Sequence, residues 1–110
     1  MTETPLEMNV AEAAAEMASG RLTLLDCREQ SEWDTVHVPG STLMPMSEIG
    51  HRLAEVDAMT GRPIAVLCHH GMRSMQVMKF LRANGHPTAR SVAGGIDAWA
   101  TYVDPSLTRY

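Results

Sequence analysis

The chain lacks the features that mark several large classes of protein. No apolar stretch approaches the length needed to cross a bilayer, so no membrane-spanning helix and no membrane partner is expected. Basic residues are few, nine Lys plus Arg against thirteen Asp plus Glu, for a formal net charge of −4. They form no cluster, which argues against a general affinity for nucleic acid. Lysine is almost missing, with Lys79 the only one, and nothing follows from that. Only two cysteines occur, Cys27 and Cys68. The opening Met-Thr-Glu-Thr-Pro has no basic start followed by an apolar run, so it does not read as a secretory signal. Both cysteines are therefore expected to be reduced thiols in a cytoplasmic protein. There is no internal repeat. A length of 110 residues suits one domain, 1–110, with one core and no room for a separate cofactor domain.

What is present alternates between two periodicities. Asn9 with Glu12 reads as a capping box opening an Ala-rich helix that Gly20 stops. Arg21 to Asp26 reads as a strand. A polar connection follows, with a short helix near Ser31 to Asp34, ending at the turn pair Pro39-Gly40. Leu43-Met44 is a candidate short strand, and Ser47 a candidate cap for a helix running to about Val56. Thr60 to Pro63 reads as a loop. Ile64-Ala65-Val66-Leu67 is apolar at every position, the pattern of a strand buried on both faces in the middle of a parallel sheet. Ser74 to Asn84 reads as a helix with Met75, Val77, Met78, Phe80 and Leu81 on its apolar face. A strand near Ala89 to Val92, the tight turn Gly94-Gly95 and a helix through Trp99 complete the series, while Thr101 to Tyr110 shows no period. Strands alternating with helices predict an α/β fold: an open, mostly parallel sheet with helices on both faces. In such sheets, sites lie beyond the carboxyl ends of the strands.

The residues beyond the buried strand are Cys68-His69-His70-Gly71-Met72-Arg73-Ser74. A cysteine ends a central strand, a glycine permits a left-handed turn that points successive amides inward, an arginine follows, and a helix begins. Together they predict an anion cup with a sulfur at its rim, where helix N-terminal amides stabilise the Cys68 thiolate or any anion attached to it. The bland alternative is that Cys68 is a small buried hydrophobe.

At this point the chain resembles the rhodanese family. The resemblance rests on Leu24-Leu25-Asp26-Cys27-Arg28-Glu29 with Glu32-Trp33 and His37-Val38-Pro39-Gly40-Ser41, on the loop Cys68 to Ser74, and on Ala93-Gly94-Gly95-Ile96-Asp97-Ala98-Trp99. These blocks stand in family order across roughly residues 22 to 99. Val36, where the family often has Gly, and Cys27, where Val is more usual, depart from the pattern. The resemblance implies a rhodanese-like fold and sulfurtransferase chemistry. Cys68 would attack the outer sulfur of a small anionic donor such as thiosulfate and carry it as a persulfide to a thiol, cyanide or protein acceptor. No metal or organic cofactor is implied. Loop amides would hold the sulfane sulfur, and the Arg73 guanidinium would grip an anionic donor. Phosphatases and arsenate reductases that resemble this fold use a loop one residue longer. Here four residues separate Cys68 from Arg73, a cup matched to sulfur rather than to a tetrahedral oxyanion.

The other site candidates each carry two readings. His69, His70, Gly71, Met72 and Ser74 line the expected substrate site. The histidine side chains either raise the local potential or face solvent as filler, and Met72 either contacts a protein acceptor or merely covers the rim. Asp26, Arg28 and Glu32 read as a brace for the fold, and His37 as a hydrogen-bonding anchor for its loop. Cys27 reads as a Val-sized core side chain, or, if its strand neighbours that of Cys68, as a thiol able to form a disulfide with it. A rival class is a rhodanese-fold carrier or redox-sensing module that signals through the tail residues Tyr102, Val103, Leu107 and Tyr110.

Overall fold

A computed structural model describes residues 4–59 and 61–110. Met1 to Glu3, and Thr60 of the expected 60–63 loop, lie outside the described residues. Among the described residues ten elements follow one another: β1 (Glu7–Met8), α1 (Val10–Ala18), β2 (Thr23–Asp26), α2 (Gln30–Thr35), β3 (Thr42–Leu43), α3 (Leu53–Asp57), β4 (Ile64–Leu67), α4 (Met72–Ala83), β5 (Arg90–Val92) and α5 (Gly95–Tyr102). The strands form one sheet in the order β1-β5-β4-β2-β3, and every pairing is parallel.

β4 is central, with β2 on one side and β5 on the other. Its unbroken apolar run is explained by the two cores it feeds. Ile64 and Val66 point to one face and pack with Leu25 of β2, Val56 of α3, and Val77, Met78 and Leu81 of α4. Ala65 and Leu67 point to the other and pack with Leu24, Val10 and Ala13 of α1, and Ile96 and Trp99 of α5. Alternation along a strand thus serves two apolar layers, the arrangement expected of a parallel sheet covered on both faces.

Several boundaries differ from those expected, each for a local reason. The side chain of Asn9 accepts the Glu12 amide at 2.8 Å, but Glu12 does not reach back: its carboxylate takes Arg90 at 3.0 Å. Ser47 caps no helix. Its hydroxyl donates to Glu29, residues 47–51 turn, and α3 starts only at Leu53. α4 begins two residues before Ser74, because Gly71, at φ 111°, supplies the N-cap in a conformation that side chains avoid. β1 carries no periodic signal in two residues; it is held by the Ser91 and Ala93 amides, which donate to Leu6 and Met8. The aperiodic tail is packed, not free. Val103 and Leu107 lie against the α1/α5 core, and Tyr110, though partly exposed, stacks on His69 beside Cys68, while Tyr102 is the more exposed of the two tail tyrosines.

The first turn of α5 shapes the loop after β4. The Ile96 amide donates to the Cys68 carbonyl at 2.8 Å and the Asp97 amide to that of His69 at 3.2 Å. This close approach requires glycine at 95. A Cβ there would stand 2.4 Å from both carbonyl oxygens, on a residue whose φ is already +59°. Gly95→Ala is expected to cost about 3 kcal/mol, the sum of overpacking against backbone and left-handed strain. A urea unfolding curve measures it, and an unchanged midpoint would show that the loop shifts freely.

Candidate active site

Cys68 stands one residue past the end of β4, and α4 begins four residues later, so the start of that helix closes over the sulfur. The Gly71 amide donates to Sγ at 3.0 Å. The Ser74 Oγ lies 3.3 Å from the same sulfur and 2.7 Å from the Oγ of Ser91, in a wholly buried chain. With the sulfur ionised, Ser91 donates to Ser74 and Ser74 donates to Cys68. Ser74, expected to line the substrate site, is instead a buried hydrogen-bond partner of the Cys68 sulfur. Ser91 was not anticipated, since a lone serine in a three-residue strand carries no signal of its own.

The second cysteine lies beside the first. β2 and β4 pair in register at Asp26 and Leu67, the Cys27 amide donates to the Leu67 carbonyl at 2.9 Å, and both thiols belong to the same buried cluster. Hydrogen bonding from Cys27 is the largest influence lowering the Cys68 pKa, to about 4. Burial opposes it, while the Ser74 hydroxyl and the Ser74 and Gly71 amides reinforce it. The Cys27 thiol is correspondingly pushed up, first by that hydrogen bond and then by burial, so it stays protonated. The bland reading of Cys27 as core filler is therefore incomplete: it is core, and it acts on the neighbouring Cys68 thiol.

A depressed thiol pKa has a direct kinetic signature. Cys68 is expected to react with iodoacetamide at a rate that is flat from pH 9 down to about pH 6 and falls towards a midpoint near 4. A rate that instead climbs through pH 8–9, as for an ordinary cysteine, would show that the cup does not hold the anion.

The basic side chain of the loop is already engaged. Nη1 and Nη2 of Arg73 bind the two carboxylate oxygens of Glu32 at 2.7 and 2.8 Å. This corrects the expectation that Arg73 offers an open fork to an anionic donor, and it moves Glu32 from a remote brace to the site itself. Arg73 holds the Glu32 carboxyl down at about 2; burial works against this, and the Glu29 amide and Tyr110 hydroxyl add to it. Behind the pair lies a buried one. Nε and Nη2 of Arg28 bind Asp26 at 2.9 and 2.6 Å, and both side chains are fully excluded from solvent. Arg28 also donates to the carbonyls of Glu32 and Val36, at 3.3 and 2.7 Å, and to the Tyr110 hydroxyl at 2.8 Å. The brace thus fixes α2, and α2 carries Glu32 to Arg73. His37 stacks on Trp33 with ring centroids 3.9 Å apart and contacts the Trp33 carbonyl at 3.0 Å, an anchor for its own loop.

Cys68 forms part of the wall of a cavity of about 350 Å³ together with Met46, His69, His70, Met72, Arg73 and Gln76. The residue as a whole is only 1% exposed, so the sulfur sits at the floor, with its donors aimed at it. His69 is stacked between His70 and Tyr110, at 3.9 Å from each ring. Met72, 79% exposed, stands on the rim. Among the described residues, no group of three or more His, Cys, Asp or Glu side chains is placed to hold a metal ion, and no helix is long and apolar enough to cross a membrane.

A strand-end cysteine ringed by main-chain and hydroxyl donors, on a parallel sheet covered by helices, defines an α/β protein built around one stabilised thiolate. The rhodanese-like domain family matches residues 9–102, and the chain belongs to that family. It is 37% identical over 95 residues to a probable adenylyltransferase/sulfurtransferase, MoeZ, of Mycobacterium tuberculosis, covering 84% of this chain and 24% of that protein. The chain thus spans about a quarter of the length of the curated relatives it matches. Among solved structures, a rhodanese-related protein from Thermoplasma volcanium superposes with a TM-score of 0.82 at 26% identity, over 96% of this chain and all of that one. The human single-domain sulfurtransferase TSTD1 superposes with a TM-score of 0.78 at 25% identity, over 89% and 97% of the two chains.

Proposed function

We propose that this protein is a sulfurtransferase that carries sulfur as a persulfide on Cys68. The observation that supports this reading above all others is the Gly71 amide 3.0 Å from a sulfur that the Ser91–Ser74 hydroxyl chain also supplies, at the floor of an open cavity. The Cys68 thiolate attacks the outer sulfur of a sulfane donor, thiosulfate in the simplest case. The bond between the donor's two sulfurs breaks, its electron pair leaves with sulfite, and the enzyme holds Cys68–S–S⁻. The donors that favour the thiolate also favour this anion, so the loaded enzyme is stable until a nucleophilic acceptor, a small thiol, cyanide or a protein thiol, takes the outer sulfur. The names of the relatives, sulfurtransferases among them, support the same class of chemistry.

The test is intact mass spectrometry after incubation with thiosulfate and, separately, with an organic persulfide. Addition of one sulfur atom, mapped to Cys68 and removed by cyanide, is the expected result. Absence of loading from every donor would sink the proposal.

A further inference from the structure

The arginines around the cavity are already paired, and this bears on which donor the site accepts. Arg73 is closed by two hydrogen bonds to Glu32. The Glu32 oxygens are themselves saturated, one by the Glu29 amide at 3.0 Å and the other by the Tyr110 hydroxyl at 2.9 Å, so the carboxylate is held in place and does not swing aside. Arg28, further in, is spent on Asp26, and Arg109, near His70, on Asp97. A small dianion entering the cavity thus meets no unpaired guanidinium among the described residues that line it. To recruit Arg73 it must displace a rigid bidentate carboxylate, and Glu32 then repels it at close range.

The space beside the cavity has the opposite character. A second cavity, of about 430 Å³, adjoins the first and shares Met46 and Gln76 with it. Its remaining wall is Ile49, Val77 and Phe80 with Ser47, Gly50 and His51, and its lining contributes no acidic or arginine side chain. Met46 and Gln76 line both spaces, which lie along α4 from Arg73 to Phe80. Thiosulfate, a few atoms across, leaves that space unused.

We infer that Glu32 is a specificity-determining residue that selects against small dianionic donors, and that the preferred donor is an organic persulfide whose uncharged apolar arm lies along the Met46–Phe80 trough. The inference rests on Cys68 being the sulfur carrier and specifies what loads it. In the step itself the Cys68 thiolate attacks the outer sulfur of R–S–SH. The S–S bond of the donor breaks, R–S⁻ departs with the electron pair and takes up the persulfide proton, and Cys68–S–S⁻ and R–SH result. Neither an oxidant nor a reductant is required.

The experiment compares second-order loading rates of the full chain with thiosulfate and with alkyl persulfides of increasing chain length, generated in place. In the wild-type protein the rate is expected to rise about two- to fourfold per methylene until the trough is filled. A rate independent of arm length would overturn the apolar part of the inference. Glu32→Gln is expected to raise the ratio of thiosulfate to alkyl persulfide rates about tenfold, since it frees Arg73 for a charge-assisted contact. An unchanged or lowered ratio in a folded variant would overturn the selection by charge. A wild-type measurement covers the case of a misfolded variant. Thiosulfate loading is expected not to slow as salt is added, whereas a steep decline would reveal an open cation and refute the role of Glu32. Failure of every donor to load Cys68 is a different result and would strike at the carrier reading itself.

Discussion

Replacing Cys68 by serine is expected to abolish sulfur loading and to lower any cyanide-dependent turnover by at least about 10³-fold. The reason lies in what the cup can ionise. Its donors, the Gly71 amide, the Ser74 hydroxyl and the Cys27 thiol, bring a thiol to a pKa of about 4. A serine hydroxyl starts so much higher that the same contacts leave it neutral, and oxygen cannot carry a sulfane sulfur as a persulfide. The substitution is close to isosteric at a site already surrounded by polar donors, so the fold should survive it; thermal unfolding distinguishes a dead enzyme from an unfolded one. Cys27 is not expected to substitute, because it is fully buried, and burial favours its neutral thiol. Full turnover in the Cys68→Ser protein would remove this residue from the chemistry.

The largest expected loss of stability comes from Asp26→Ala. Arg28 is fully buried and shares three hydrogen bonds between its guanidinium and the Asp26 carboxylate. Removing the carboxylate leaves a cation that is never neutral at working pH in a place water does not reach. Breaking a buried pair from one side costs about 3–5 kcal/mol, even where the intact pair adds little net stability. A shift in the urea midpoint equivalent to less than 1 kcal/mol would mean that water enters and solvates Arg28. The variant also carries a functional signature. Arg28 holds the carbonyls of Glu32 and Val36, so losing its partner loosens α2 and with it the Glu32–Arg73 pair.

The sequence was legible where a pattern repeats or where several chemically distinctive residues sit close together. Four apolar residues in a row at 64–67 placed the central strand, and Cys-x-x-Gly-x-Arg-Ser placed the loop, because each signal is contained in a few consecutive positions. The relations that tune the site were not legible, because they join residues far apart. Glu32 meets Arg73 across 41 positions, Tyr110 meets Arg28 across 82, and Ser74 meets Ser91 across the α4–β5 connection. Arg73 looked like a free anion-binding fork for that reason: its partner belongs to a helix that looked like part of a distant brace. Cys27 was half legible. That both cysteines follow strand ends was evident, but their adjacency depended on strand order, and β2 sits beside β4 although α2, β3 and α3 intervene.

The serine chain and the paired strand ends have a consequence for the life of the protein before it is finished. The groups that tune residue 68 are Cys27 just past β2, the Gly71 amide and Ser74 at the start of α4, and, one hydroxyl further, Ser91 of β5, so the acidity of that thiol is a property of the completed sheet. While the nascent polypeptide is still incomplete, the same side chain titrates like any other cysteine and is mostly neutral in a near-neutral cell. The protein thus withholds its most reactive atom from premature mixed disulfides until assembly has supplied the groups that both activate it and restrict access to it.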